Sequence, residues 1–173
     1  RGERDVQTTA DVAVASRYGF RGEAGSGAVL QPAVNVSAGA FNGGVWASQS
    51  LERGDAPEVD LYASYGGSVA ESATVRWEFG ATAYHRAPAD RAVGREDTVE
   101  PYVTLSTVTA SGVAPGATLF YNATRDAWTG QVQAAYAWPL AKWGASLDFA
   151  TAVGRTWAAR RDGGEHTFGS AGV

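Results

Sequence analysis

Residues 74–86 read TVRWEFGATAYHR, and this stretch decides the fold because its side chains alternate in character. The odd positions, including Trp77 and Phe79, carry apolar side chains, whereas the even positions, including Arg76 and Glu78, carry polar or small ones. Successive side chains of a β-strand point to opposite faces, so the stretch is a strand with one apolar and one polar face. A helix of this sequence would gain no continuous apolar stripe.

The same alternation recurs along most of the chain and predicts an all-β antiparallel fold without helices. The length of 173 residues predicts a single domain, residues 1–173. An Asn-Gly pair at 42–43 is typical of a tight hairpin turn. The predicted strands are 6–21, 29–38, about 44–50, 58–66, 74–86, 98–108, 113–124, 128–140 and 145–157, followed by the start of a tenth at 166–173.

The composition excludes several classes of protein. The chain has no Cys, which excludes disulfides, thiolate metal sites and thiol nucleophiles. No run of about 18 apolar residues is present, so we expect no transmembrane helix, and a helix-free chain spans a membrane only as a closed barrel. The net charge of −4, without a concentrated basic patch, argues against a nucleic-acid partner.

Two kinds of barrel fit the alternation, because a soluble barrel hides its apolar face and a membrane barrel turns that face to lipid. Charges of both signs stand in the middle of strands on the polar face, beside many Gly, Ala, Ser and Thr residues and with only one Lys in the chain, Lys142. This mixture is typical of a narrow barrel interior in which opposite charges pair. We expect Asp60 to pair there with Arg17 or Arg76. The predicted lumen-lining residues are Asp11, Arg17, Asp60, Arg76, Glu78, Glu100, Gln131, Gln133 and Asp148.

Aromatic residues on the apolar face cluster near predicted strand ends, where outer-membrane barrels carry girdles of rings at the level of the lipid headgroups. Long or charged connections also tend to alternate with short ones, as they do in such barrels. Packing of the same rings in the core of a β-sandwich is the alternative explanation. The predicted lipid-interface aromatics are Tyr18, Phe20, Tyr65, Trp77, Trp128, Trp138 and Trp157.

Four motifs carry a resemblance to a known family: SRYGFRG (16–22), QPAVNVSAG (31–39), GVWASQS (44–50) and EVDLYASYGG (58–67). In order and spacing they resemble the opening of the TorF-family porins of proteobacteria. The resemblance covers residues 16–67 and implies an outer-membrane β-barrel of Gram-negative bacteria, without catalytic residues. Such barrels close with a strand that ends in an aromatic residue, whereas this chain stops at Val173. The resemblance therefore implies a longer natural protein with about ten to twelve strands.

The sequence offers little chemistry beyond the polar face. It contains no Gly-x-Ser-x-Gly elbow, phosphate-binding loop or dinucleotide fingerprint. His85 and His166 are its two histidines. Together with Asp90 and Asp97 they could form a catalytic group at one rim of the barrel, but only their shared side of the barrel supports such a group. We predict no catalytic residues, no metal site and no cofactor.

The leading hypothesis is a barrel in the bacterial outer membrane, which passes small solutes narrowly or serves as a structural component of the envelope. Its expected partners are membrane lipid and lipopolysaccharide, with small solutes in the lumen. One alternative is a barrel subunit that mainly binds an envelope protein or further copies of itself. Another is a soluble β-barrel that encloses a small apolar ligand with residues such as Val12, Leu61 and Phe79.

Overall fold

The computed structural model describes residues 5–21, 23–24, 27–52, 57–69, 75–86, 97–158 and 165–172. Twelve strands alternate with turns, and a single turn of 3₁₀ helix, Ala141–Trp143, precedes the eleventh strand. The strands are β1 Val6–Ala15, β2 Gly19–Phe20, β3 Glu23–Ala24, β4 Val29–Ala38, β5 Phe41–Ser50, β6 Glu58–Ser68, β7 Arg76–Arg86, β8 Thr98–Ser106, β9 Ala114–Asn122, β10 Ala127–Leu140, β11 Ala145–Ala158 and β12 His166–Gly172.

Ten of these strands form one sheet in the order β1-β4-β5-β6-β7-β8-β9-β10-β11-β12, and β2 and β3 pair separately. From β4 onwards the strands follow this order in sequence, as in a meander, β1 pairs with β4 across the β2–β3 insertion, and all the registers of the large sheet that are described are antiparallel. The all-β antiparallel prediction is therefore confirmed. The sheet is not closed, since no described pairing joins β1 to β12, and the barrel remains a prediction.

The predicted first strand, 6–21, is too long. β1 ends at Ala15, which pairs with Val29, the first residue of β4. Residues beyond Ala15 have no ladder partner in β4, so the chain bends at Ser16 and forms the short β2–β3 hairpin instead. Tyr18 and Phe20 thus leave the alternation that the sequence suggested for them.

Burial in the sheet is inverted relative to a protein that folds around an apolar core. Twenty-six large apolar side chains are exposed, including Val12, Leu61 and Val132, whereas only Val29, Ala127 and Phe168 are buried apolar residues in the described part of the chain. Eight polar or charged residues are buried. The registers put all of the buried residues on the polar face, because Val29 pairs with Ser50 and Phe168 with Gly154.

The chain divides into two units. Unit 1 comprises Arg1–Tyr65 with Gly80–Pro101, and unit 2 comprises Gly66–Phe79 with Tyr102–Val173. Each unit contains its own part of the polar face, and the two parts differ in chemistry. The single-domain organisation expected from chain length stays a prediction.

Candidate functional site

A buried ion pair lies on the polar face of unit 1, near the first residues of β8. The guanidinium of Arg21 donates two hydrogen bonds to the carboxylate of Glu100, at 3.0 and 2.7 Å. The two side chains are only 11% and 4% exposed. Arg21 follows β2 in the left-handed region (φ 48°), and its guanidinium lies 4.7 Å from the Phe20 ring centroid. A bidentate arrangement of this kind fixes geometry as well as charge.

A second pair shares the same face. Arg86, the last residue of β7, donates a hydrogen bond of 2.5 Å to Glu58, the first residue of β6. Glu58 is buried, whereas the Arg86 side chain is 57% exposed, so the pair joins a buried acid to a base that water can still reach. Tyr18 also hydrogen-bonds Glu58, and burial together with the negative charge of Glu58 raises the pKa of the Tyr18 hydroxyl.

Asp60 follows two residues after Glu58 and lies on the same face of β6. It is 9% exposed, and its Oδ1 atom has no hydrogen-bond partner among the described residues. Its direct cross-strand neighbour is Trp46 of β5. Burial most of all, and the negative charge of Asp60 to a smaller extent, raise the pKa of the Tyr18 hydroxyl, and the same charge acts on the Tyr84 hydroxyl. The expected partners Arg17 and Arg76 are both exposed, and the cation whose charge acts on Asp60 is Arg86.

Aromatic contacts hold the segment around β2 against this face. Tyr18 packs on Trp46 with ring centroids 5.7 Å apart, and Phe20 packs edge-on against Tyr84, also at 5.7 Å. Trp46 faces the same side as Asp60, because the two are directly opposed in the ladder. The placement of Tyr18 and Phe20 on the apolar face is therefore wrong. The two rings cover the charged cluster because β1 ends before them.

The polar face of unit 2 is built mainly from neutral groups. Hydroxyl pairs join Thr104 to Thr118 and Thr129 to Thr156, each at 2.9 Å. Two glutamines predicted to line the lumen continue the pattern, since Gln131 donates to Gln133 at 2.9 Å and Gln133 reaches Thr118 at 3.5 Å. One acid on this face, Glu78, accepts a 2.7 Å hydrogen bond from the Tyr102 hydroxyl.

The remaining predicted lumen residues lie at more open positions. Asp11 is exposed and accepts a 3.5 Å hydrogen bond from Asn35, while Asp148 is exposed and accepts one of 2.9 Å from Ser146. Of the predicted charges, the structure therefore buries Asp60 and Glu100 and leaves Glu78 half-buried.

Three residues of the cluster, Arg21, Glu58 and Arg86, were absent from the predicted site. The sequence could have indicated Glu58, because positions 58 and 60 of one strand point to the same face as each other. The two arginines stand at a hairpin and at a strand end, where strand parity says little about direction.

The other predicted aromatics occupy the apolar side of the strands or their ends. Trp128, Trp138 and Trp157 are 39%, 55% and 38% exposed, and Trp128 is directly opposed to Trp157. Tyr65 packs edge-on against Phe41 at 4.7 Å, and Trp77 stacks on Phe79 at 5.9 Å. Their role at a lipid interface stays a prediction.

The two histidines lie in separate surroundings. The Nδ1 atom of His85 lies 2.7 Å from a carboxylate oxygen of Asp97, and both side chains are about half exposed. His166 packs on the Phe168 ring at 6.0 Å, and Asp90 lies outside the described residues. Over the described ranges no three His, Cys, Asp or Glu side chains are grouped as metal ligands.

The described helix content comprises one short turn, and nothing in it is long and apolar enough to cross a membrane. The fold and the polar face define a class of all-β proteins whose sheet buries polar side chains and exposes apolar ones.

A family model described as a bacterial protein of unknown function (Gcw_chp) matches residues 2–156, and the chain belongs to this family. The assignment to the TorF-family porins is therefore wrong. The motifs behind it are short strands rich in Gly and aromatic residues, and alternation of that kind recurs in sheets of different ancestry. No curated protein and no solved structure matches the chain.

Proposed function

We propose that this protein is a β-barrel of the bacterial outer membrane, whose polar face lines a narrow lumen that small solutes can enter. The observation that carries the proposal is the inverted burial of the sheet. A water-soluble protein rarely exposes a large contiguous apolar surface, whereas a membrane barrel needs such a surface against lipid. Its polar groups then pair inside, because hydrocarbon offers them no partners.

Whether the lumen is a wide pore or a narrow passage depends on how many strands surround it and on which side chains occupy it. Barrels of about eight strands are filled by their own side chains, and those with about 16 leave a channel. The described sheet has ten strands, and paired side chains occupy its polar face in both units. These observations favour a narrow passage over a wide pore.

An arginine scan on the apolar side tests the proposal. Leu61, in the middle of β6, is 58% exposed, and Leu51, outside the strands, is 59% exposed. Leu61→Arg should destabilise the protein folded into phospholipid vesicles by about 2–4 kcal/mol, because the charge would lie in hydrocarbon. Leu51→Arg is the matched control and should cost about 0–1 kcal/mol.

The measurement is urea-induced unfolding of the vesicle-inserted protein, followed by tryptophan fluorescence, after flotation has shown insertion. Equal small effects of the two variants would contradict the proposal. So would a wild-type chain that stays monodisperse in water and never floats with the vesicles.

A second candidate has an observation of its own. A shallow apolar groove crosses β8 to β11 in unit 2 and is lined by side chains such as Val103, Leu119 and Val153. In a protein that remained in water, this groove would suit a small apolar ligand. Binding of a fluorescent fatty acid by detergent-free, monodisperse protein would favour this function over the barrel.

A further inference from the structure

Three acids are buried on the described part of the polar face of unit 1. The acids are Glu58, Asp60 and Glu100, and the bases that contact this group are Arg21 and Arg86. Each arginine pairs with one glutamate. Among the described residues, the Asp60 carboxylate has no ion pair of its own, although the charge of Arg86 acts on it.

A buried charge without a counter-charge is costly, because the desolvation penalty amounts to several kcal/mol per ion. The Oδ1 atom of Asp60 is buried and has no described hydrogen-bond partner. The other two buried acids, Glu58 and Glu100, already accept hydrogen bonds from guanidinium groups. A cation bound at Asp60 would supply both the missing charge and the missing donor.

The surroundings of Asp60 favour an organic cation over a metal ion. Trp46 is its cross-strand neighbour, and Tyr18 packs on Trp46. Aromatic faces attract ammonium groups through their quadrupoles, and the attraction grows when the groups are desolvated. No metal-ligating cluster of three side chains is described here.

We propose that Asp60 and the rings of Trp46 and Tyr18 form a binding site for the primary ammonium group of a small organic solute. The ammonium donates a hydrogen bond to the Asp60 carboxylate, and its alkyl carbon atoms contact the rings. The site deepens the proposed function, because it names the class of solute that the lumen would hold.

Equilibrium binding of n-butylammonium to the folded, detergent-solubilised protein tests the site. Intrinsic fluorescence reports on it, since Trp46 is one of its walls. Wild type should show saturable binding, and Asp60→Asn should weaken that binding at least about tenfold. Glu165→Gln is the control, because Glu165 is an exposed acid of unit 2 that lies outside the predicted lumen lining. It should leave the affinity unchanged, and n-butanol, which lacks the charge, should not bind.

Two results would overturn the inference. One is equal binding by wild type and Asp60→Asn, which would place the cation elsewhere. The other is the absence of saturable n-butylammonium binding both at neutral pH and in an alkaline buffer. That result would mean that the Asp60 carboxylate does not bind an organic cation. Neither result concerns the membrane, since flotation with vesicles and the Leu61→Arg comparison test the barrel separately.

Discussion

The polar face is charged in unit 1 and nearly neutral in unit 2. In unit 1, Arg21 with Glu100 and Arg86 with Glu58 form ion pairs whose acids are buried. In unit 2, threonine hydroxyls and glutamine amides form the corresponding contacts. Charged pairs are strong only while both partners are present, whereas neutral hydrogen bonds contribute about 1 kcal/mol each. One sheet therefore satisfies its buried polar groups by two different means, ion pairs in unit 1 and neutral hydrogen bonds in unit 2.

Removing one charge from unit 1 should have the largest effect. Glu100→Gln takes the countercharge away from the buried Arg21 guanidinium, and we expect a loss of about 3–5 kcal/mol in the free energy of unfolding. Urea titration in detergent micelles measures this loss. The double variant Arg21→Met with Glu100→Gln should recover part of it, because the guanidinium that lost the Glu100 carboxylate is then removed as well. A loss below about 1 kcal/mol for the single variant would mean that the pair is hydrated, as surface pairs are.

The stability of unit 2 should depend more on close packing around its glycines than on buried charges. A Cβ atom at Gly154 would lie 2.4 Å from the Phe168 ring and 2.8 Å from the carbonyl oxygen of Gly130. Gly154→Ala should therefore cost about 1–3 kcal/mol through overpacking. Gly172→Ala is the matched control, since nothing lies within 4 Å of that position. Equal stabilities of the two variants in the same titration would contradict the packing argument.

The smallest effect should come from an ion pair outside the buried face. Arg155 and Glu165 in unit 2 are 2.9 Å apart, but their side chains are 64% and 55% exposed. Glu165→Gln should change the free energy of unfolding by about 0–1 kcal/mol, and added salt should remove the difference. A loss comparable to that of Glu100→Gln would erase the distinction between buried and exposed pairs on which the comparison rests.

The sequence predicted the sheet because strand parity is a local property. The predicted strand 29–38 coincides with β4, and the predicted strand 145–157 differs from β11 by one residue at its end. The first strand was predicted too long because its end depends on where β4 begins, which parity in residues 6–21 does not encode.

The charged site was less predictable for the same reason. Asp60 and Glu100 stand inside or near strand ladders, and their parity placed them on the polar face. Arg21 and Arg86 come from a hairpin and from a strand end, so the alternation did not select them. Whether the sheet closes depends on the geometry of its edges, which the order of side chains along one strand does not contain.

The Arg21–Glu100 pair also bears on how such a chain enters a bilayer. Its members are 79 residues apart in sequence, whereas Thr104 and Thr118 are 14 apart and belong to one hairpin. Under the proposed function, the β2–β3 hairpin would carry Arg21 and the β8–β9 hairpin would carry Glu100 into hydrocarbon without this partner until the two hairpins meet, at a cost that the Thr104–Thr118 contact avoids. Insertion of unit 1 should therefore be concerted, with β2 and β8 brought together before either is surrounded by lipid.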